Sequence, residues 1–438
     1  MAATNVILPD SPGYESIRKP AIARFHDVRP QAVVLCRTAA DVGEAIALAK
    51  RSGTTAVPRS GGHSFAGDSS TEGIVIDVTP MSSVSVAGGI ATVGAGARLG
   101  HVYDALDEHD VTIAGGCGPE VGIAGLTLGG GLGILGRTYG LTSDQLVGAR
   151  VVLADGRVVD CDDQHEEDLF WALRGAGGGT LGVVTSFSFR TVPAPAATTF
   201  HLVWPFTQAA AVVDAWQRWS PAAPDEMAAS LLITDFAAPV VNVFGAMIGS
   251  ESDSAGLLEQ LVARVGADPT SAQSLHMPYR RAKRHLAEHG PGDPEAEDAH
   301  LYSKSEYFQR PLPGEAITAL LQTFANQPQS GQSRELDFTP WSGAYNRVPA
   351  DATAFVHRSD LFLLKHGVAT SPSEAEAARD WLARSWASVH PWGSGRAYQN
   401  FPDPDLADPA HAYYGSNYDR LVQVKRSYDP EDFFRSLP

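Results

Sequence analysis

Glycine is gathered into three clusters within the first 193 residues, and short β-branched runs separate them. The first is Arg59-Ser60-Gly61-Gly62-His63-Ser64, the second runs from Ala114 to Gly133, and the third is Gly175-Ala176-Gly177-Gly178-Gly179. Glycine loses more backbone entropy on folding than any other residue, so clusters this dense destabilise a chain unless something requires them. The simplest requirement is a backbone that must come close to a flat or polyphosphate ligand. In the first cluster, two glycines allow a sharp turn that gathers main-chain N–H groups into an anion nest. Arg59 adds a permanent cation, and His63 stands at the rim with a nucleophilic ring nitrogen. No Gly-Lys-Ser/Thr ending follows, so this is not a P-loop. Gly131-Leu132-Gly133-Ile134-Leu135-Gly136 matches G-x-G-x-x-G literally. No hydrophobic strand runs into it and no β-α-β unit with a ribose-binding acid follows, which argues against a Rossmann unit.

Charge narrows the partners. Over 438 residues, 33 Lys and Arg face 50 Asp and Glu, a formal net charge of −17. Such a surface repels phosphate backbones and anionic membranes, so nucleic acid is not an expected partner. The basic run Tyr279-Arg280-Arg281-Ala282-Lys283-Arg284-His285 reads as a solvated helix face. No apolar run reaches membrane-spanning length, and the N-terminus has neither a basic nor an apolar leader region. Three scattered cysteines, Cys36, Cys117 and Cys161, make no disulfide framework. The expectation is a cytoplasmic protein, monomeric or homodimeric.

Along the chain, Val33–Cys36 reads as a strand and the Ala-rich stretch that follows as a helix, with Thr38 as N-cap and Asp41 in its first turn. Ile74–Val78 is a strand, Val84–Val93 a hairpin around Gly88-Gly89, and His101–His109 a helix. A second hairpin turns at Asp155-Gly156, Asp168–Arg174 is a short helix, and Val183–Phe187 a strand. Pro193, Pro195 and nearby alanines read as a linker. Beyond it glycine thins out. Strands such as Thr199–Trp204, Leu336–Phe338 and Leu361–Lys365 alternate with helices at 208–219, 254–265 and 372–388, the texture of an antiparallel sheet with helices. The fold class is α+β. His285-Leu286-Ala287-Glu288-His289 matches the inverted zinc-peptidase pattern, but Gly290-Pro291-Gly292 ends the helix at once, so two histidines on an exposed helix are the better account.

Several segments together resemble the flavin-dependent vanillyl-alcohol oxidase superfamily, with a PCMH-type FAD-binding domain, and within it the berberine-bridge-enzyme-like branch. They are Arg59–Ser64, Val121–Gly133, Arg137–Asp144, Leu169–Gly175, Gly182–Thr185, Asp351–Phe355, Tyr398–Asp403, Tyr413–Gly415 and Asn417–Leu421. The likeness runs from about residue 20 to the C-terminus. It implies an FAD-binding domain over 1–193, a substrate-binding domain over 194–397, and a segment, 398–438, that returns to complete the first.

The resemblance also implies roles. The FAD-binding set becomes Arg59, Ser60, Gly61, Gly62, His63 and Ser64, then Cys117, Val121, Gly122, Gly125, Gly130, Gly131 and Gly133. Asp144, Gly182, Val184 and Asn400 complete it, and no metal is implied. The histidine matching His63 attaches to the flavin 8α-methyl group; a hydrogen-bonded loop histidine is the alternative. Some relatives attach the flavin again through cysteine, three residues before the valine of V-G-x-x-G. Here that position is Gly118, and Cys117 stands one residue earlier, leaving one link or two open. A tyrosine two residues after the histidine in relatives is Phe65 here, and the asparagine of the third glycine cluster is Thr180. The implied reaction is oxidation of a small-molecule alcohol, sugar or secondary metabolite by hydride transfer to flavin, with O₂ as acceptor and H₂O₂ as product. Tyr398 would be the catalytic base and Tyr139 its partner, though either is also a packed aromatic. Asn400 would hydrogen-bond the flavin or orient Tyr398. Lys365, Asp337 and Glu335 face the substrate only if strand parity allows. Trp204, Trp341, Phe338 and Phe362 suit either a substrate ring or the core. A family member running a redox-neutral cyclisation or isomerisation is the alternative function, and a zinc hydrolase using His285 and His289 a remote one.

Overall fold

The computed structural model describes residues 5–236, 238–289, 299–326 and 331–438. Two small sheets carry the glycine clusters. One has the order Asn5–Ile7, Ala32–Leu35, Ile74–Asp77, Ala56–Arg59, and its last three strands run parallel. The other, antiparallel, has the order Val84–Ala87, Ile90–Gly94, Val183–Arg190, Leu146–Val152, Val158–Cys161. Burial is close to complete along Ile74–Asp77, as expected of a central parallel strand covered on both faces. The helix Ala39–Ser52 links two of the parallel strands. Its Thr38 cap closes a reciprocal pair: the Thr38 hydroxyl accepts from Asp41 N–H at 3.2 Å, and the Asp41 carboxylate from Thr38 N–H at 2.9 Å.

From Ala196 to Thr370 the chain builds a seven-stranded antiparallel sheet. Its order is Ser271–Pro278, Ala196–Pro205, Val240–Ile248, Met227–Thr234, Gln332–Pro340, Phe362–Thr370, His300–Phe308. Helices Ala209–Trp219, Glu251–Val265, Gly314–Ala325 and Ala375–Ala387 cover one face. Alternation along the strands does the sorting. Leu336 and Phe338 enter the helix-covered core, which leaves Glu335, Asp337 and Thr339 on the other face. Trp204, Phe338 and Phe362 are wholly buried in that core, so packing explains them. Trp341 is also buried, but in a separate aromatic cluster that includes Tyr398.

Several expectations shift on contact with tertiary structure. The helix read as 254–265 starts at Glu251, because the Ser250 hydroxyl accepts from Asp253 N–H at 3.1 Å and caps it. The helix read as 101–109 is Leu99–Asp107. The prolines read as a linker are tied down: Val192–Pro193 pairs with Val111–Thr112. The basic run at 279–285 is a seam between regions rather than a solvated face. Arg280 and Arg284 reach Asp104 at 2.8 and 2.9 Å, while Tyr279 and Lys283 are buried beneath them.

Candidate cofactor and active site

A cavity of about 600 Å³ lies where the three glycine clusters, the polar face of the large sheet and the C-terminal segment meet. The first cluster approaches the second backbone to backbone. A Cβ on Gly61 would sit 2.3 Å from the Gly122 nitrogen, and one on Gly122 only 2.2 Å from the Gly61 nitrogen, so neither position admits a side chain. Gly125 is glycine for a different reason. A Cβ there would meet nothing within 4 Å, although the residue lines the cavity, so its missing side chain leaves room for an occupant.

Each expected residue now has a place. Arg59, Ser60, Gly61, Gly62, His63 and Ser64 line the cavity. So do Cys117, Val121, Gly122, Gly125, Gly182, Val184, Tyr398 and Asn400. Among the described residues, the main-chain N–H groups of Gly61 to Ser64 have no acceptor, which suits an anion nest. Arg59 contributes differently from the expectation. Its guanidinium donates to Ser69 O at 3.0 Å and Ile17 O at 2.9 Å, so it builds the loop rather than offering its donors to a ligand.

His63 is half-buried, with the Glu120 backbone beside its ring. Burial, reinforced by Arg98, holds the imidazole below its usual range. It is therefore neutral near pH 7, with one ring nitrogen free to act as a nucleophile. Arg98 is itself paired with Glu120.

Tyr398 is 2% exposed and ringed by Phe401 at 5.1 Å, Phe355 at 6.1 Å and Trp341 at 6.3 Å. Its phenol oxygen accepts from Gly131 N–H at 2.9 Å and from the Asn400 side-chain amide at 3.0 Å. The same Asn400 nitrogen donates to Leu126 O at 3.1 Å, which fixes the amide. Burial pushes Tyr398 up to about 12, opposed by N–H groups of Gly131, Asn400 and Leu132. Two donors aimed at one phenol oxygen turn its own O–H away from them and stabilise the phenolate once the proton leaves.

Five of the residues expected in the site lie off the cavity lining. Tyr139 is 37% exposed on the short helix Gly136–Tyr139 and does not line the cavity. Its neighbour Arg137 takes the inward side, donating to Ala223 O at 2.7 Å and Pro221 O at 3.1 Å, so Tyr139 faces outward. Gly130, Gly131 and Gly133 stand behind the cavity wall. Gly131 serves Tyr398, Gly130 abuts Phe355, and Gly133 meets the Tyr345 hydroxyl at 3.2 Å. Asp144 is occupied by Leu141 N–H at 2.9 Å and by Arg358, at 2.6 and 2.8 Å.

Parity of the sheet brings Lys365 to the cavity, with Glu335 at 2.7 Å and Asp337 at 3.9 Å. Burial pushes Asp337 up to about 6, helped by Glu335 and opposed by Lys365. Phe65 faces Phe401 across 6.1 Å. Arg435 and Gly177 to Gly179 also line the cavity. Arg435 reaches Asp68 at 2.6 Å and donates its main-chain N–H to Gly179 O at 3.1 Å. Nothing local in the sequence marks Arg435, because its partners lie in distant loops.

The cradle fits FAD: unpaired N–H groups suit a diphosphate, a side-chain-free floor suits a flat ring, and a neutral histidine stands at the rim. The zinc alternative, which needs His289, lies partly outside the described residues. Among the described residues no group of three or more His, Cys, Asp or Glu could hold a metal ion. The His289 side chain and residues 290–298 lie outside the described residues. No helix among the described residues is long and apolar enough to cross a membrane.

Comparison with known proteins agrees with this geometry. Residues 30–162 match the FAD binding domain family, and residues 397–437 the berberine and berberine-like family. The FAD-linked oxidoreductase YvdP of Bacillus subtilis is 33% identical over 437 residues, covering 98% of this chain and 96% of the relative. The chitooligosaccharide oxidase of Gibberella zeae is 32% identical, covering 93% and 86%. Among solved structures, the wild-type BBE-like 1 protein of Physcomitrella patens superposes with a TM-score of 0.90 at 29% identity, covering 99% and 96%. The glucooligosaccharide oxidase of Acremonium strictum, described with 6-S-cysteinyl, 8α-N1-histidyl FAD, gives 0.90 at 27% identity, covering 99% and 96%.

Proposed function

Because this chain belongs to the berberine-bridge-enzyme-like branch of the FAD-linked oxidoreductases, we propose that it oxidises a hydroxyl group of a small molecule, with dioxygen as the final acceptor. The observation that carries this reading is the Tyr398 oxygen. It faces the cofactor cavity with two N–H groups, from Gly131 and Asn400, directed at it. An alcohol cannot give up its C–H hydride without releasing its O–H proton, and Tyr398 would accept that proton as a phenolate that the two donors favour against the effect of burial. The bound flavin supplies two-electron oxidation and its regeneration by dioxygen. Everything else falls to the chain. The first glycine cluster would hold the diphosphate, and Gly125 and Val121 would hold the ring. Lys365, Glu335 and Asp337 orient a polar, hydroxylated substrate from above. Phe65 and Phe401 frame that space with apolar surface. Turnover of hydroxylated candidates, sugars and aromatic alcohols among them, is read by coupled peroxide detection. Product formation with no peroxide and no bleaching of the flavin would overturn the reading and leave redox-neutral chemistry.

His63 would tether the flavin through its free ring nitrogen, with Cys117 as a second point of attachment. A proteolytic digest of the holoenzyme is expected to carry flavin on the His63 peptide. His63→Ala abolishes that flavopeptide, and His63→Ala with Cys117→Ser releases all flavin into the supernatant on acid precipitation. Flavin still in the acid pellet of the double variant would rule out both tethers.

Asp337 gives a pH signature. Its carboxyl, raised to about 6, takes up a proton as pH falls through that value, leaving Lys365 held by Glu335 alone. With Asp337 acting in its ionised form, kcat/KM is expected to rise with pH to a plateau above about 6. Asp337→Asn is expected to flatten that acid limb, and an unchanged limb would assign it to another group.

A further inference from the structure

Lys283 lies on the helix Tyr279–His289 of the substrate-side region, yet its ammonium reaches the second glycine cluster. It is 3% exposed. It donates to Gly115 O at 2.7 Å and Gly116 O at 2.6 Å, and stands 3.7 Å from the Cys117 sulfur. The Tyr103 ring lies 4.5 Å away and the Tyr279 ring 5.8 Å. Two other cations of this helix have acidic partners: Arg280 reaches Asp104 and Asp107, and Arg284 reaches Asp104. Lys283 has no carboxylate partner among the described residues. A charge this deep is costly without a counter-charge, and the one ionisable sulfur within reach lines the cofactor cavity.

Resting on the reading of this cavity as a flavin site, we infer that Lys283 is a positioning residue for cofactor attachment at Cys117. It pins the 115–117 turn through two carbonyls, turns the sulfur toward the cavity, and provides the cation beside which that sulfur reacts. The bond formed is sulfur to flavin ring carbon, and the bond broken is that carbon's C–H. Thiol, ring C–H and dioxygen give thioether and hydrogen peroxide, with two electrons passing to dioxygen. Burial holds Lys283 below its usual range, and the nearby sulfur opposes that shift.

The test uses holoenzyme and two readouts other than turnover. Flavopeptide masses report the Cys117 linkage, and the pH-dependent rate of Cys117 alkylation by iodoacetamide reports the thiolate wherever the sulfur is free. Lys283→Met is expected to lower the Cys117-linked fraction, or the alkylation rate at neutral pH, by about tenfold, with the His63 flavopeptide retained. Lys283→Gln, which keeps a donor for the carbonyls but loses the charge, should do the same and serves if the methionine variant does not fold. Lys283→Arg should retain most of the effect. Linkage and alkylation both unchanged in Lys283→Met and Lys283→Gln would overturn the proposal. A wild-type protein that binds no flavin would instead overturn the functional reading, and alkylation would still decide the role of Lys283.

Discussion

Tyr398→Phe is expected to lower kcat by about 10²–10⁴-fold, the range for losing a positioned general base, with flavin content and attachment unchanged. The phenol oxygen is where the Gly131 N–H and the Asn400 amide converge. Removing it deletes the proton acceptor and leaves both donors without a partner inside a closed aromatic cluster. The stranded donors add a stability cost of about 1–3 kcal/mol, so thermal unfolding should be measured beside turnover to keep the two effects apart. The decisive measurement is anaerobic flavin bleaching by substrate in a single turnover. If bleaching slows as much as kcat, proton removal and substrate oxidation are linked at this residue. A loss smaller than tenfold would move the base elsewhere, and Asn400→Ala would then be expected to have little effect.

The second large effect concerns stability. Asp144→Ala should destabilise the protein by about 3–5 kcal/mol, the range for breaking a buried ion pair by removing one member. Arg358 and Asp144 are 2% and 8% exposed, and the pair is two-pronged, at 2.6 and 2.8 Å. Asp144 also accepts from Leu141 N–H, so the variant strands a guanidinium and a main-chain donor together. Arg358 donates onward to Tyr345 O at 3.2 Å and Thr353 Oγ1 at 3.3 Å, so the loss extends into the segment that supports Phe355. The expected readout is a lower urea midpoint. Asp144→Leu combined with Arg358→Met, which removes both charges, is expected to recover part of the loss. Equal destabilisation in the single and double variants would show that the pair does not act as a unit.

How far the chain could be read in advance depended on whether a residue's partners were local. Thr38 and Asp41 cap a helix three residues apart, so sequence spacing shows both members of the interaction. The loop Arg59–Ser64 was legible because its chemistry is carried by consecutive residues. The core strand at 74–77 declared itself by continuous β-branched composition. Motif spacing does not say which side of the four-residue helix carrying Tyr139 faces inward, and Arg137 takes that side. Gly130, Gly131 and Gly133 belong to the same glycine run as Gly125, but only tertiary contact separates wall from lining. Lys283 and Arg435 were invisible as site residues because both act through contacts more than 150 residues away in sequence. The face of Glu335, Asp337 and Lys365 waited on register, since a one-residue slip would have buried all three.

The C-terminal segment that closes the cavity has a consequence for how the protein is made. His63, Gly122 and Val184 leave the ribosome before the large sheet exists, whereas Tyr398, Asn400 and Arg435 leave after it. Synthesis proceeds at about 5–20 residues per second and domains fold as they appear. The glycine cradle therefore stands open on the nascent chain, without its aromatic wall and without Lys283 beneath the second cluster. A complete cradle for the flavin thus waits until the C-terminal segment has emerged and folded back.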